Sequence, residues 1–533
     1  MPDLSKEIRR FPPGEPGSDP VHIGIVYPNT YQVAVSSLGY QTVHLVAHSH
    51  PGVVTHRIVL ENTSGKTYPS RTLEERLEIR SLAALLVSCS FELDYLHLVR
   101  ILHSAGIPTL RNKRGSLPLI IVGGIAPTAN PEPLALVADA IAVGDAEKML
   151  PGLLDDLLEA YPLLQGSRFA EGRDQLHELW DRREGVYVPA LWEAGDGEFS
   201  DRHGKTLAQV SVDNPDEYPS FTPIISPEGV YGSKNLVEIS SGCPAGCRFC
   251  LLSYVLPARR ERSKANILEN ARRFRPDEAS IGLISSRVSD HPDIVEIIDT
   301  LADDGYQVSV SSLRMPTTTR RMLDSLARAG SRTVTLAPEH GSESIRKLVC
   351  KPLTYDEIRD KVAWAFDAGM SGVKLYFLTG FHEESDVEVD ETGALIQSLI
   401  QDIGLSNRPA DNRLSIGIAP FVPKPTTPFQ RRAMQDERTL KRKLKRITGP
   451  LGTLPRVDVE TESPRLSIIQ GALSISDRSV GLHLDYVSRT LGSIFASWDE
   501  ALREVGDSPR MRVLEERPIG TSLPWSFIRR PKP

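Results

Sequence analysis

Cysteine is scarce in this sequence: five in 533 residues. That number excludes a disulfide-stapled fold and fits a reducing compartment. Long hydrophobic runs are missing too, and none approaches the roughly 18 residues that a membrane span requires. The first twenty residues, MPDLSKEIRRFPPGEPGSDP, lack the apolar centre of a secretory signal. A cytoplasmic protein with no membrane partner is expected. An excess of positive charge is also lacking, since 62 Lys and Arg against 69 Asp and Glu leave −7. A general polyanion binder is therefore excluded, and nucleic acid is not an expected partner. No internal repeat occurs at solenoid periods. Against this background, three of the five cysteines crowd into SSGCPAGCRFCLLSY (240–254) as Cys243, Cys247 and Cys250.

The length allows about three domains of roughly 100–200 residues each. Residues 1–20 are polar and Pro-rich and read as a loose arm. Apolar runs at 22–29, 53–60, 82–91 and 117–124, with a fifth near 140, alternate with helical patterns. Continuous rather than alternating apolar character predicts a parallel, doubly wound (Rossmann-like) α/β domain over 21–165. Residues 166–230 lack sustained periodicity and read as a connector. Strand–helix alternation restarts with KNLVEIS, EASIGLI, QVSVSSL, RTVTLAP, GVKLYFLTG and LSIGIAPF. Six strands predict a partial (β/α)6 barrel over 231–430. From 431 to 533 the pattern becomes mainly helical.

The cysteine spacing is C-x3-C-x2-C, directly after a strand-like run, where parallel α/β folds place their chemistry. A structural zinc site wants four ligands, and the next histidine is His291. Three thiolates suit a four-iron cluster with one iron left open, because thiolates are the usual iron–sulfur ligands. A zinc knuckle is the plainer alternative.

With Phe249 before its last cysteine, the motif resembles the signature of radical S-adenosylmethionine (radical SAM) enzymes. The downstream segments agree. SVSSLRMPTT (309–318), with Ser312 and Arg314, resembles the family's third-strand segment. LAPEHGSESIRKLVCKPLT (336–354) resembles its APE-GSE-R segment. KLYFLTGF (374–381) resembles the fifth-strand segment, although GFHEES departs from GLPGET. IAPFVPKPTTPFQ (418–430) resembles the stretch that ends the barrel in the cobalamin-associated subgroup. The resemblance covers about 234–430. It implies that the three cysteines hold a [4Fe-4S] cluster whose open iron binds S-adenosylmethionine. It also implies that Glu339, Ser342, Ser312 and Arg314 line the cofactor, with Arg314 a bidentate donor to its carboxylate; a structural ion pair for Arg314 and a solvated carboxylate for Glu339 are the alternatives. Tyr254 is expected either on the substrate cavity or, the plainer reading, as a packed aromatic. Arg262 serves either the cofactor or a solvated basic face.

The N-terminal domain resembles the cobalamin-binding domain of cobalamin-dependent radical SAM enzymes. Its strand exits carry Ser88 and Ser90, Gly123 and Gly124, and Gly144 with Glu147. Glycines there permit close backbone approach to a large cofactor, although a tight turn explains them equally. The D-x-H-x-x-G of many cobalamin domains is replaced by Asn29 and Tyr31, with no histidine until His44. The resemblance therefore implies cobalamin bound without a protein histidine.

Cys89 reads as a small buried hydrophobe. Cys350 reads as a surface thiol or a second catalytic thiol. The basic stretch 431–447 reads as a solvated helix face, or as a grip on RNA phosphates. The C-terminal stretches GALSISDRSVG and FASWDEAL resemble the tail of the same subgroup and are expected to cap the barrel.

Together the resemblance implies a cobalamin-dependent radical SAM C-methyltransferase, working through methylcobalamin and a 5′-deoxyadenosyl radical. Its substrate would be a peptide or protein side chain (for example in methyl-coenzyme M reductase) or a small molecule. Its electrons would come from an external ferredoxin or flavodoxin. Ring formation or rearrangement, RNA modification, and a non-enzymatic cobalamin or redox sensor are the alternatives. Methylthiolation of tRNA usually needs a second three-cysteine cluster, for which five cysteines are too few.

Overall fold

The computed structural model describes residues 2–11, 19–62, 67–192, 206–256, 258–452, 454–490, 492–506 and 508–531. Five strands form the N-terminal sheet: β1 Val21–Thr30, β2 Val53–Leu60, β3 Ala84–Ser88, β4 Leu119–Gly123 and β5 Ala140–Ala142. All five are parallel, in the order β2-β1-β3-β4-β5. Their apolar runs are continuous because both faces are covered. Helices α1 Leu38–His48 and α3 Ala146–Leu164 pack on one face. Helix α2 Asp94–Ser104 packs on the other. Fully buried Leu and Ile residues contribute about 1.5–3 kcal/mol each relative to exposure, so the two cores make this the rigid platform of the molecule. The order reverses between β1 and β3, and such a switch point opens a crevice at the strand ends.

The flanks differ from the sequence expectation. Val186–Tyr187 adds an antiparallel edge to β5, extending the first domain past its expected end. The expected loose arm is partly sheet, with Ile8–Arg9 pairing antiparallel to Ile224–Ile225. Residues 12–18 of that arm, and 193–205 of the connector, lie outside the described residues.

The barrel strands are β6 Lys234–Glu238, β7 Ser280–Ile284, β8 Val308–Val310 (continued by Ser312–Leu313), β9 Thr333–Glu339, β10 Gly372–Thr379 and β11 Arg413–Pro420. They pair in parallel along the chain, with helices such as α4 Arg320–Arg328 and α5 Tyr355–Asp367 between successive strands. A seventh parallel strand, β12 Val457–Thr461, extends the arc beside β11. Its sequence, VDVET, is polar because it forms the open edge, and edge strands carry charge. For that reason it reads as part of a helical region in sequence.

The C-terminal helices are also placed differently. They are α7 Glu437–Thr448, α8 Pro464–Ile475, α9 Val480–Arg489 and α10 Ile494–Glu504. Helix α7 packs on the barrel helix α6 Asp386–Asp402. Helices α8 to α10 do not cap the barrel. They join α2 in the core of the N-terminal domain, where Ile468, Leu473, Leu484 and Trp498 are buried with Leu85 and Val122. Arg100 of α2 fixes the arrangement by donating to the Ser497 hydroxyl (2.6 Å) and the Gly492 carbonyl (3.1 Å).

Candidate active site

The cysteine loop leaves β6 through Gly242, whose φ is +82°; a Cβ there would overlap the Ala258 carbonyl oxygen. Only glycine turns the chain at that point. The loop is then fixed by its own backbone. Cys243 N–H donates to Leu256 O (2.8 Å), and Cys250 N–H to Cys247 O (3.0 Å). Phe249, between the last two cysteines, packs into an aromatic cluster of Phe381, Phe421 and Phe429. The aromatic residue in the motif is thus an anchor for the loop. Tyr254 is not among the residues lining the cavity. It donates its hydroxyl to Gly246 O (2.9 Å) and so holds the same loop.

The three thiols open onto one cavity of about 340 Å3. Burial pushes the Cys247 thiol up to about 11 and also raises Cys250. Thiols this desolvated stay protonated until a bound cation replaces the proton on sulfur and releases it to solvent, and a metal cluster supplies such cations. Among the described residues, no three His, Cys, Asp or Glu side chains are grouped to hold a single ion. A cluster that takes one thiolate per iron has no need of such convergence, so the donor set fits it better than it fits zinc.

Ser312, Arg314 and Glu339 share the cavity wall with the cysteines. Arg314 is held at its backbone, where the Ser289 hydroxyl accepts from its N–H (3.0 Å). Its guanidinium has no hydrogen-bond or ion-pair partner among the described residues, and it faces a cavity that a carboxylate could enter. Glu339 lies where the β9–β10 register shifts, with φ at +72°. A bulge of this kind re-aims a side chain, and here it turns the carboxylate to the cavity, where it accepts from Lys351 Nζ (2.5 Å). Ser342 falls outside the cavity. It caps the helix Glu343–Leu348, and its hydroxyl meets that of Ser344 (3.0 Å).

Behind Glu339 lies a network that sequence reading missed. The fully buried Glu384 carboxylate meets His340 Nε2 (2.8 Å) and accepts from the Thr379 hydroxyl (2.7 Å), the Gly380 amide (2.6 Å) and Lys443 Nζ (2.8 Å). Glu384 belongs to the divergent GFHEES segment, and Lys443 to the basic helix α7. Two further cations of α7 are also paired, Arg442 with Asp386 (2.8 Å) and Arg446 with Asp390. The helix therefore lies against acidic α6, and those two arginines are engaged there. Arg262 is buried rather than solvated. It donates to the carbonyls of Pro215 and Tyr218, a structural role.

The N-terminal domain abuts this site. The short helix Ile125–Ala129 that follows the Gly123–Gly124 exit contacts the helix Leu252–Val255 that follows the cysteines. Gly124 (φ +110°) and Gly144 (φ +147°) allow close approach of the Cys89 and Val210 backbones, where any Cβ would overlap a carbonyl. Both glycines thus have a structural reason, and with Gly123 they also line an apolar hollow of about 50 Å3 against α3. Ser88 is buried and Ser90 exposed. Glu147, at the start of α3, is raised to about 7 by burial.

At the end of β1, Asn29 donates to Asp94 Oδ1 (3.0 Å). His44 is buried elsewhere, against the Thr55 hydroxyl (3.2 Å). Burial raises Asp94 to about 7. A carboxyl raised on folding contributes stability at low pH that is lost as pH rises through the folded value. Asp94→Asn should therefore raise the melting temperature clearly more at pH 8 than at pH 5. Equal shifts at both pH values would show that Asp94 is not protonated in the fold.

The two domains are tied by charge. Glu92, in the loop after β3, accepts from Lys424 Nζ through both oxygens (2.6 and 2.8 Å) and from Gln470 (3.0 Å). Lys424 is the lysine of the PFVPKP stretch that ends the barrel. Asp145, after β5, accepts from Arg260 (2.5 Å).

A three-cysteine loop at the mouth of an open parallel barrel, joined to a doubly wound domain, defines an α/β enzyme built to hold a thiolate-ligated cluster. The model described as Radical SAM proteins, N-terminal, matches residues 39–189, and that of the Radical SAM superfamily matches 237–396. Together they span more than half of the chain, which belongs to the radical SAM superfamily. An uncharacterized protein of Methanocaldococcus jannaschii is 27% identical over 470 residues, 87% of this chain and 91% of that protein. The tRNA-2-methylthio-N(6)-dimethylallyladenosine synthase of Halalkalibacterium halodurans is 24% identical over 178 residues, 31% of this chain and 33% of that enzyme. Among solved structures, the radical S-adenosylmethionine methyltransferase TsrM of Kitasatospora setae, with cobalamin and a [4Fe-4S] cluster bound, aligns with a TM-score of 0.52 at 12% identity. That alignment covers 91% of this chain and 99% of TsrM, so the likeness of fold extends over both domains. No helix among the described residues is long and apolar enough to cross a membrane.

Proposed function

We propose that this chain is a cobalamin-dependent radical SAM C-methyltransferase that methylates an unactivated carbon. The observation that carries the reading is the contact between the helix that follows the cysteines, Leu252–Val255, and the helix that follows the Gly123–Gly124 strand exit, Ile125–Ala129, in a domain with an open switch point. When bound, the cluster with S-adenosylmethionine would supply a 5′-deoxyadenosyl radical, and cobalamin would carry the methyl group. Cys243, Cys247 and Cys250 would hold the cluster. The Arg314 guanidinium would take the carboxylate of S-adenosylmethionine as a bidentate donor. Glu339, steadied by Lys351, would accept from its hydroxyls, with Ser312 beside it. Ser88, Ser90, Gly123, Gly124, Gly144 and Glu147 would face cobalamin. With Asn29 where many cobalamin domains carry the D-x-H-x-x-G motif, cobalamin would be held without a histidine from that segment. The Phe249 cluster and the Glu384 network would exclude water from the radical and keep the wall from yielding.

The substrate is a peptide or protein side chain, or a small molecule of similar reach, and the electron donor a ferredoxin or flavodoxin. The tRNA-methylthiolation reading loses its second cluster, because the two remaining cysteines lie apart: Cys89 in the N-terminal core and Cys350 on this cavity.

The test is cobalt and iron content after anaerobic reconstitution with iron, sulfide and hydroxocobalamin, followed by gel filtration. About four iron and one cobalt per chain are expected. Methyl-labelled S-adenosylmethionine should then label a peptide pool. Four iron without cobalt would overturn the cobalamin assignment. Cleavage of S-adenosylmethionine without label transfer would overturn methyl transfer.

A further inference from the structure

Four of the five cysteines face one cavity, not three. Cys350 lines it together with Cys243, Cys247 and Cys250, and it is the exposed cysteine of the set. Cys243, by contrast, is 93% buried, its relative exposure being 7%, and among the described residues its thiol meets no hydrogen-bond partner. The backbone around Cys350 is pinned. Its N–H donates to Lys347 O (3.1 Å), and its neighbour Val349 accepts from the Arg248 N–H of the cysteine loop (3.2 Å). On the other side, Lys351 grips Glu339 (2.5 Å). The strap that carries Cys350 is thus fixed both to the loop that would hold the cluster and to the wall that would hold S-adenosylmethionine. Cys350 itself has φ at +59°. That region favours glycine, and a side chain there is strained. The chain accepts this strain and places a thiol on the cavity.

We propose that Cys350 is a fourth, exchangeable thiolate, bound to the open iron when S-adenosylmethionine is absent and displaced when it enters. The proposal rests on the cluster assignment and adds a resting state to it. Thiolates are the preferred ligands of such iron, and an open iron beside a free thiol in the same cavity is a competition the fold sets up by itself. In the exchange an iron–sulfur bond forms, the Cys350 S–H proton goes to solvent, and solvent leaves the iron. No electron moves. When S-adenosylmethionine binds, its amine and carboxylate take the iron and the thiolate regains a proton. The device would keep the cluster at four irons in a cell poor in cofactor.

Two consequences have opposite signs, and a merely structural thiol would not produce both. Removing Cys350 should weaken the cluster when S-adenosylmethionine is absent, yet strengthen binding of S-adenosylmethionine, because a competitor is gone. If the thiolate-bound form is about nine-tenths populated, the intrinsic affinity is masked about tenfold.

The experiment compares wild type, Cys350→Ala and Cys350→Gly, each reconstituted anaerobically. The glycine variant relaxes the left-handed backbone and protects the comparison from misfolding. Iron per chain is measured first. Conversion to three-iron clusters after brief exposure to air is then followed by electron paramagnetic resonance, with and without saturating S-adenosylmethionine. Affinity for S-adenosylmethionine is measured by equilibrium dialysis. Both variants should convert severalfold faster than wild type without S-adenosylmethionine, match it when saturated, and bind S-adenosylmethionine about tenfold more tightly. Unchanged conversion, or equal or weaker affinity, would overturn the proposal. A wild-type protein that takes up no iron would sink the cluster assignment itself, and the first measurement shows that separately.

Discussion

Cys250→Ala should abolish iron uptake and S-adenosylmethionine cleavage while leaving the fold intact. The expected result, with S-adenosylmethionine saturating throughout so that Cys350 is displaced, is a fall from about four iron to less than one per chain after gel filtration, because only two thiolates then remain to hold the cluster. The reason for choosing Cys250 is local. The amides of Leu252 and Ser253 point at its sulfur, so the loop is already arranged for a negative charge there. Burial still leaves the thiol raised, and only a bound cation makes thiolate the favoured form. The loop itself does not depend on that sulfur. Phe249 remains in its aromatic cluster, and the Cys250 N–H still meets Cys247 O. Circular dichroism and the melting temperature of the cluster-free protein should therefore match those of cluster-free wild type. Cys89→Ala, in the N-terminal core, is the control and should keep its iron. Retention of three or more iron by Cys250→Ala would mean that the cluster is held elsewhere.

The second large effect lies at the domain interface. Lys424→Met should destabilise the protein by about 3–5 kcal/mol, the cost of leaving a buried carboxylate without its cation. Glu92 is 96% buried, with a relative exposure of 4%, and its charge is maintained by Lys424 and Gln470. Adding Glu92→Gln to Lys424→Met removes the stranded charge and should restore part of the loss, since the amide still accepts from Gln470. Urea denaturation of the two single variants and the double variant measures this as a coupling energy. Strict additivity would show that the pair contributes nothing to the joint between the domains.

The parts of this molecule that were readable in sequence are those with local signals. The five parallel strands of the first domain announce themselves because both faces are buried and the apolar runs are unbroken. The cysteine loop announces itself by spacing. What sequence could not give depends on partners far along the chain. Glu92 and Lys424 are 332 residues apart. Glu384 finds Lys443 only after a barrel helix has turned back. The strand β12 hides behind an edge composition of Val, Asp, Glu and Thr. Arg262 stands in a run of charges that looks solvated, and only the carbonyls of Pro215 and Tyr218 reveal that it is buried. Cys350 lies outside the motif, and its place on the cavity follows from a left-handed backbone that no local pattern signals.

The docking of α8 to α10 onto α2 has a consequence for how the protein is made. The second face of the N-terminal sheet is closed by residues near the end of the chain: Trp498 packs in its core, and Ile528–Arg529 pairs with Leu207–Ala208. During synthesis the first domain therefore leaves the ribosome with α2 alone against the second face of its sheet. It stays so until some three hundred further residues have emerged, or about 15–60 s at ordinary elongation rates. The nascent chain must be sheltered through that interval, and a gene fragment ending after the first domain would encode an aggregating half rather than a free-standing cofactor module.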